Sequence, residues 1–185
     1  MIHAAGEKVD VAITWLEMTA RPAFPRPHLP TGPASALIGA ERPPVWYFLG
    51  LYERVGADYG WTDQLDAPAG EVAAFLHDPA VCLYTFVRAG WPHGFFVLDA
   101  RVPGSCDLAY FGLVPEAIGR GLGSFLLHTG IHMAWDRAGV ERVTVNTNSL
   151  DHPRALPLYQ KAGFEPIRRE TVERTLARAR TIFDV

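Results

Sequence analysis

The residues best suited to chemistry stand in one run, Val114-Pro115-Glu116-Ala117-Ile118-Gly119-Arg120-Gly121-Leu122-Gly123-Ser124. Glycines at every second position let successive backbone N–H groups converge with no Cβ in the way. The apolar run that follows reads as a helix, so these amides fall at a helix N-terminus, where unsatisfied donors and the positive end of the dipole face outward. Arg120 adds a full positive charge beside them. Such a turn is built for a phosphate. A nucleotide P-loop also needs Lys and then Ser or Thr after its last glycine, and no such lysine follows here. A dinucleotide fingerprint needs a third glycine three residues after the second. That place is Ser124 or Leu126, and the acid expected near the end of the next strand is replaced by Asn146 and Asn148.

A second run lies downstream, His152-Pro153-Arg154-Ala155-Leu156-Pro157-Leu158-Tyr159-Gln160-Lys161-Ala162-Gly163-Phe164. The first run resembles the Q/R-x-x-G-x-G/A pyrophosphate loop of the GNAT superfamily of N-acetyltransferases, with Gly121 and Gly123 matching and Ile118 in place of Gln or Arg. The second is similar to that superfamily's N-x-x-A-x-x-L-Y-E-K-x-G-F signature. Ala155, Leu158, Tyr159, Lys161, Gly163 and Phe164 match, and His152 replaces the asparagine. The two occur in the family's order, with a strand between them, over residues 105–165.

The resemblance implies an acetyl-CoA-dependent N-acetyltransferase in which a primary amine attacks the thioester directly in a ternary complex. It places the pantetheine arm against free backbone groups of Leu113 and Val114. The pyrophosphate falls on Ile118, Gly119, Arg120, Gly121, Leu122, Gly123 and Ser124, with His152 and Tyr159 completing the cofactor contacts. A backbone N–H near Leu113 would hold the oxyanion, and Tyr159 would protonate the departing thiolate. Gly112 is the expected weak point for a bulge in the strand. Many relatives carry a carboxylate near Tyr110 as general base. Here Asp107 is the nearest acid, with a water chain or the polar face Thr144, Asn146 and Asn148 as alternatives. The acceptor is a small-molecule or protein amine, and a homodimer stays open. A second reading is a catalytically silent acyl-CoA sensor, which the missing acid and the altered Ile118 and His152 keep in view.

Other candidates are weaker. His128, His132 and Asp136 recur every four residues on one helical face, but Thr129 stands where a zinc-protease helix has Glu. A polar stripe is expected there, and no metal. Trp46, Tyr47, Tyr52, Tyr59 and Trp61 lie where the family's first helices wall the acceptor. Trp46 and Tyr52, with Asn146 and Asn148, are the expected substrate contacts, and Asp58 or Asp63 could attract an ammonium.

The elements that position these residues follow from periodicity. Val9–Leu16 reads as a strand. Seven prolines between Pro22 and Pro44 make an extended connection over 21–44. Helices are expected over 45–55 and 71–77, then two antiparallel strands over 81–87 and 94–98. Strand 106–113, a helix from Gly119 or Gly121 to Ala138 and strand 142–148 form a β-α-β unit with parallel strands. The resemblance implies that these separate towards their C-terminal ends. Pro153 suits a first helical position. Pro157 would cost up to roughly 3 kcal/mol inside a regular helix, so the helix over 156–162 should be kinked or start late. A strand begins at Phe164, and a short helix is favoured after Thr171. The expected fold is α/β (α+β), one GNAT-like domain over 1–185, with a mixed, mostly antiparallel sheet flanked by helices.

At 185 residues, 49% hydrophobic and 20% charged, the chain can bury a sizeable core. A net charge of -3 gives no basic footprint for nucleic acid. No apolar run is long enough to span a membrane, and the N-terminal residues lack a secretion pattern. Cys82 and Cys106, both in strand-like runs, are expected as reduced core thiols. A cytoplasmic protein is expected.

Overall fold

The computed structural model describes residues 2–181. The strands are β1 (Ile2–His3), β2 (Lys8–Met18), β3 (Ser35–Ala40), β4 (Val81–Arg88), β5 (Trp91–Asp99), β6 (Ser105–Leu113), β7 (Arg142–Asn148), β8 (Glu165–Thr175) and β9 (Arg180–Thr181). The α-helices are α1 (Val45–Gly56), α2 (Asp63–Asp66), α3 (Ala69–Leu76), α4 (Leu122–Trp135) and α5 (Ala155–Lys161), with 3-10 turns at Ala57–Tyr59 and Pro115–Ala117. Seven strands form one sheet in the order β3-β4-β5-β6-β7-β2-β8, and β1 pairs with β9 beside it. Among the described residues, only β6 and β7 are parallel neighbours in the large sheet. This is the mixed, mostly antiparallel sheet that the periodicity predicts.

Adjacent residues of β5 point to opposite faces. Phe95 meets Phe48 of α1 with ring centroids 6.2 Å apart. Phe96 faces Gly130 of α4, where a Cβ would sit 3.6 Å from its ring. The core therefore extends over both faces: α1 and α3 cover the first, α4 covers the second, and Tyr159 of α5 joins it there against Phe111. Phe48, Phe86, Phe95, Phe96 and Phe164 are fully buried, and Cys82 and Cys106 are free thiols.

Four expectations need correction. The connection over 21–44 contains β3, an edge strand of small residues that pairs Ser35–Ala40 with Leu83–Arg88 of β4. Residues 172–175 are strand and not helix, because Val172–Thr175 pair with Lys8–Val11 of β2; residues 182–185 lie outside the described residues. Pro153 precedes α5 and is not its first residue. The helix starts at Ala155 with Arg154 as N-cap, so Pro157 falls in the first turn, where its missing N–H would have had no intrahelical partner. The bulge in β6 is not at Gly112. Val97 faces Tyr110 and Leu98 faces Leu108, which leaves Ala109 as the extra residue. Gly112 serves α1 instead: a Cβ there would lie 2.3 Å from Val55 Cγ1.

The proline-rich segment is tied down. Phe24 stacks on His128 at 4.0 Å, and its carbonyl meets His132 Nε2 at 3.1 Å. Arg21 and Arg26 pair with Asp136, and Arg88 donates to the carbonyls of Pro30, Thr31 and Pro33. The stripe His128, His132 and Asp136 thus serves as an anchor for this segment.

Candidate functional site

β6 and β7 stay paired only through Ser105↔Arg142, Cys106↔Val143 and Asp107↔Thr144. Beyond that point they part, as the resemblance implies, and a cavity of about 260 Å³ opens between them. Its walls carry Leu113, Ile118, Gly123, Asn146, Asn148 and Tyr159. Tyr52 and His152 line it as well. These eight predicted residues are therefore brought together.

The cleft exposes backbone. Val114 donates its N–H to His93 O at 3.0 Å, and its carbonyl accepts from Ala117 N at 2.9 Å. Both of its polar groups are used inside the protein, which corrects its expected place among the free backbone groups. Successive strand residues present N–H and C=O to alternate sides. With Val114 turned to β5, Leu113 turns its groups to the cleft, and Phe111 does the same.

At the mouth stands the glycine turn. Gly121 caps α4 in the left-handed conformation, φ 73°, and among the described residues no side chain caps this helix end. A Cβ at Gly119 or Gly121 would meet nothing within 4 Å. The space that a phosphate would need is therefore open, and the first amides of the 14-residue helix face it. Gly119, Arg120, Gly121, Leu122 and Ser124 form this rim without lining the enclosed part of the cavity. An ion pair from Arg54 of α1 to Glu116 holds the turn that leads into it.

Tyr159, 6% exposed, packs its ring edge-on against Phe111 and Phe164. Its hydroxyl has no hydrogen-bond partner among the described residues, although the side chain lines the cleft. Burial, then the charges of Asp151 and Asp107, push its ionisation well above the ordinary phenol range, so it holds its proton.

A second cavity of about 460 Å³ adjoins the first through Asp63, Ala109, Tyr110 and Asn146, which line both. Asp107 lies here, at the vertex where β6 and β7 part, and accepts from Thr144 Oγ1 at 2.6 Å. Burial raises its pKa above the usual carboxylate range; the Thr144 bond opposes this and the Asp99 charge adds to it. Tyr110 stands where the resemblance implies an acid. It belongs to an aromatic wall with Tyr52 and Trp61, ring centroids 5.4 and 5.9 Å away, and burial pushes its phenol up to about 12.

Trp46 does not belong to the site. It is 72% exposed on the outer side of α1 and lines neither cavity. Tyr47 likewise turns away, to Thr85 Oγ1 at 2.9 Å. The helical period that carries Tyr52 inward carries Trp46 outward. Asp58 lines only a third cavity, whereas Asp63 reaches the site and pairs with Arg174 at 3.7 Å. Sequence reasoning missed Ile13, Arg154, Arg174 and Asp151 as lining residues. Asp151 immediately precedes the second motif and Arg154 lies within it, which is their local signal; Ile13 and Arg174 carry none.

Residues 41–164 match the family model of the acetyltransferase (GNAT) family. No curated protein matches the chain. Among solved structures, a GCN5-related N-acetyltransferase from Kribbella flavida aligns with TM-score 0.56 at 19% identity, over 88% of this chain and 56% of that one. One from Sphaerobacter thermophilus aligns with TM-score 0.55 at 18% identity, over 100% of this chain and 55% of that one. A tandem GNAT protein from the clavulanic acid biosynthesis pathway aligns with TM-score 0.59 at 17% identity, over 92% and 54%. The chain thus spans about half the length of these structures, which share its fold. With a family match over well more than half of its residues, the chain belongs to the GNAT acetyltransferase family.

Proposed function

We propose that the chain is an N-acetyltransferase that moves the acetyl group of acetyl-CoA to a primary amine in a ternary complex. The observation that carries this reading is the Tyr159 hydroxyl: buried, still protonated, without a partner among the described residues, and lining the cleft that the diverging strands open. A buried hydroxyl left unpaired is costly, and the sulfur of a thioester lying in the cleft would give it a partner. The glycine turn suits the pyrophosphate, and the free backbone groups of Leu113 and Phe111 suit the pantetheine amides.

In the transfer the amine nitrogen bonds to the thioester carbonyl carbon and the C–S bond breaks. The Leu113 N–H stabilises the oxyanion. Tyr159 donates its proton to the departing thiolate. Asp107 takes the amine's proton from the adjoining cavity; its raised pKa brings it nearer to neutrality, where a general base works best. Tyr52, Trp61, Tyr110, Asn146 and Asn148 shape the acceptor end.

The test is turnover of acetyl-CoA with a panel of primary amines spanning alkylamines, diamines, arylalkylamines and peptide N-termini. Free thiol is read together with the mass of the product. Tyr159→Phe keeps the ring and its packing, so acetyl-CoA Kd should hold. Its kcat should fall about 10²-fold, the low end for acid catalysis, because a thiol leaves partly unaided. A Phe variant with wild-type kcat, with chemistry rate-limiting, removes Tyr159 from the reaction. Binding of acetyl-CoA without turnover of any amine would favour a silent acyl-CoA sensor.

A further inference from the structure

Asp151 closes the cleft from a side that the transfer chemistry does not use. It follows β7, and its carboxylate collects donors from two separate parts of the chain. Oδ1 accepts from Trp61 Nε1 at 3.1 Å. Oδ2 accepts from Thr147 Oγ1 at 2.8 Å and from the Asn148 N–H at 2.9 Å. Thr147 is buried, so one end of this bridge is fixed in the sheet. The other end, Trp61, is 90 positions away in the chain, between the 3-10 turn and α2. One carboxylate thereby joins the aromatic acceptor wall to the β7–α5 wall that leads to Tyr159.

Trp61 is also a partition. It lines the cleft and, on its other side, a cavity of about 590 Å³ formed by residues of the 57–65 segment and by Arg174–Ala179. The indole is pressed against the end of α1, where a Cβ on Gly56 would lie 2.4 Å from Trp61 Cβ. That contact reaches the ring itself, since the same Cβ would lie 2.4 Å from Cγ and 2.5 Å from Cδ2, and Tyr52 and Tyr110 pack against the indole; the bond to Asp151 is its polar tie to the β7–α5 wall. A hydrogen bond to a carboxylate is about twice as strong as a neutral one. Without it packing alone holds the ring in front of the cavity behind.

Resting on the acetyl-transfer reading above, we propose that Asp151 is a positioning residue: its carboxylate holds the Trp61 indole across the cleft and so fixes where the acceptor amine stands relative to Tyr159. Its negative charge, the largest influence on Tyr159 after burial, also helps to keep that phenol protonated. Asp151 itself touches none of the reacting atoms in this role.

Three variants test it: Trp61→Phe, which removes the N–H and keeps an aromatic ring, Asp151→Asn, and the two combined. The probes are acetyl-CoA and the best amine of the panel above. Each single variant should bind acetyl-CoA with wild-type Kd and lose about tenfold in kcat/KM for the amine, mainly through KM, as expected for one lost charge-assisted hydrogen bond. The double variant should be no worse than the worse single, because both changes cut the same bond. In NMR, the indole N–H that disappears in Trp61→Phe should exchange with solvent at least ten times faster in Asp151→Asn. Wild-type kcat/KM in Trp61→Phe, or losses that multiply in the double variant, overturns the proposal. If Asp151→Asn does not fold, Trp61→Phe decides the matter alone. A wild-type protein that binds acetyl-CoA but acetylates no amine marks failure of the transfer reading, and the positioning role falls with it. Normal turnover with unaffected single variants marks failure of the positioning role only.

Discussion

Substituting valine for Gly121 separates backbone strain from ligand binding, because the same strain can be imposed elsewhere. Gly121 has φ 73° and Gly139, past the other end of α4, has φ 76°; an added Cβ at either meets nothing within 4 Å. Forcing an L side chain into the left-handed region costs about 1–2 kcal/mol. Stiffening of the unfolded chain offsets about 0.4–1 kcal/mol of that. Gly121→Val and Gly139→Val should therefore each lose about 1 kcal/mol, or about 2–4 °C in Tm for a chain of this size. Acetyl-CoA at a hundred times its Kd should stabilise the wild type by about 2.7 kcal/mol, roughly 5–10 °C. The Gly139 variant should keep that whole shift. The Gly121 variant should lose it, since its side chain enters the space where the pyrophosphate approaches the amides. Differential scanning fluorimetry with acetyl-CoA, and with ATP and NAD as controls, reads every term. If Gly121→Val keeps the full shift while the wild type shows one, the pyrophosphate does not lie on this turn.

Two further outcomes follow from packing and charge. Gly112→Ala should cost about 1–3 kcal/mol by chemical denaturation, because its Cβ would overlap Val55 Cγ1; combination with Val55→Ala should cost less than the sum of the two single changes. His128 stacks on Phe24, and burial, then His132 and Lys161, lower its pKa below the ordinary 6.5. The unfolded chain therefore binds this proton more readily than the folded one. The contribution of His128 is complete above pH 6.5 and is lost as pH falls from there through the lowered folded value; His128→Gln should flatten Tm against pH over that range.

What could be read in advance was whatever local chemistry dictates. The glycine turn needs amides at a helix N-terminus, and residues 119–124 supply them in order. The parallel pairing of β6 and β7 followed from the β-α-β unit between them, whereas their parting was legible only through the family resemblance. β3 was hidden because prolines surround it and its residues Ser35, Ala36, Gly39 and Ala40 lack the branched or aromatic signature of a strand. It is strand because β4 offers it an unpaired edge. Val172–Thr175 reads as a short helix for a different reason: its charged residues lack a strand signature, and its partner Lys8–Val11 is remote in the chain. Trp46 and Tyr52 read alike in an aromatic helix, and only the direction of α1 against β5 tells them apart. Asp151 stands beside the second motif, but nothing local tells its role, which lies in an indole at the far side of a cleft.

The place of β2 in the sheet sets an order for folding. It lies between β7 and β8, and Ala12 N–H donates to Ser149 Oγ across 137 positions. Val11 and Leu16, both wholly buried in the finished sheet, therefore have no final partners until almost all of the described chain has been made. A ribosome adding about 5–20 residues per second leaves this apolar strand waiting for roughly 8–30 seconds. Contacts of such separation close late and slow the overall rate. The edges of β7 and β8 must stay apart until β2 arrives, and the anchored segment that follows β2 can hold it near α4 meanwhile. Folding of this chain should then be limited by the insertion of its first long strand rather than by the unit that carries the glycine turn.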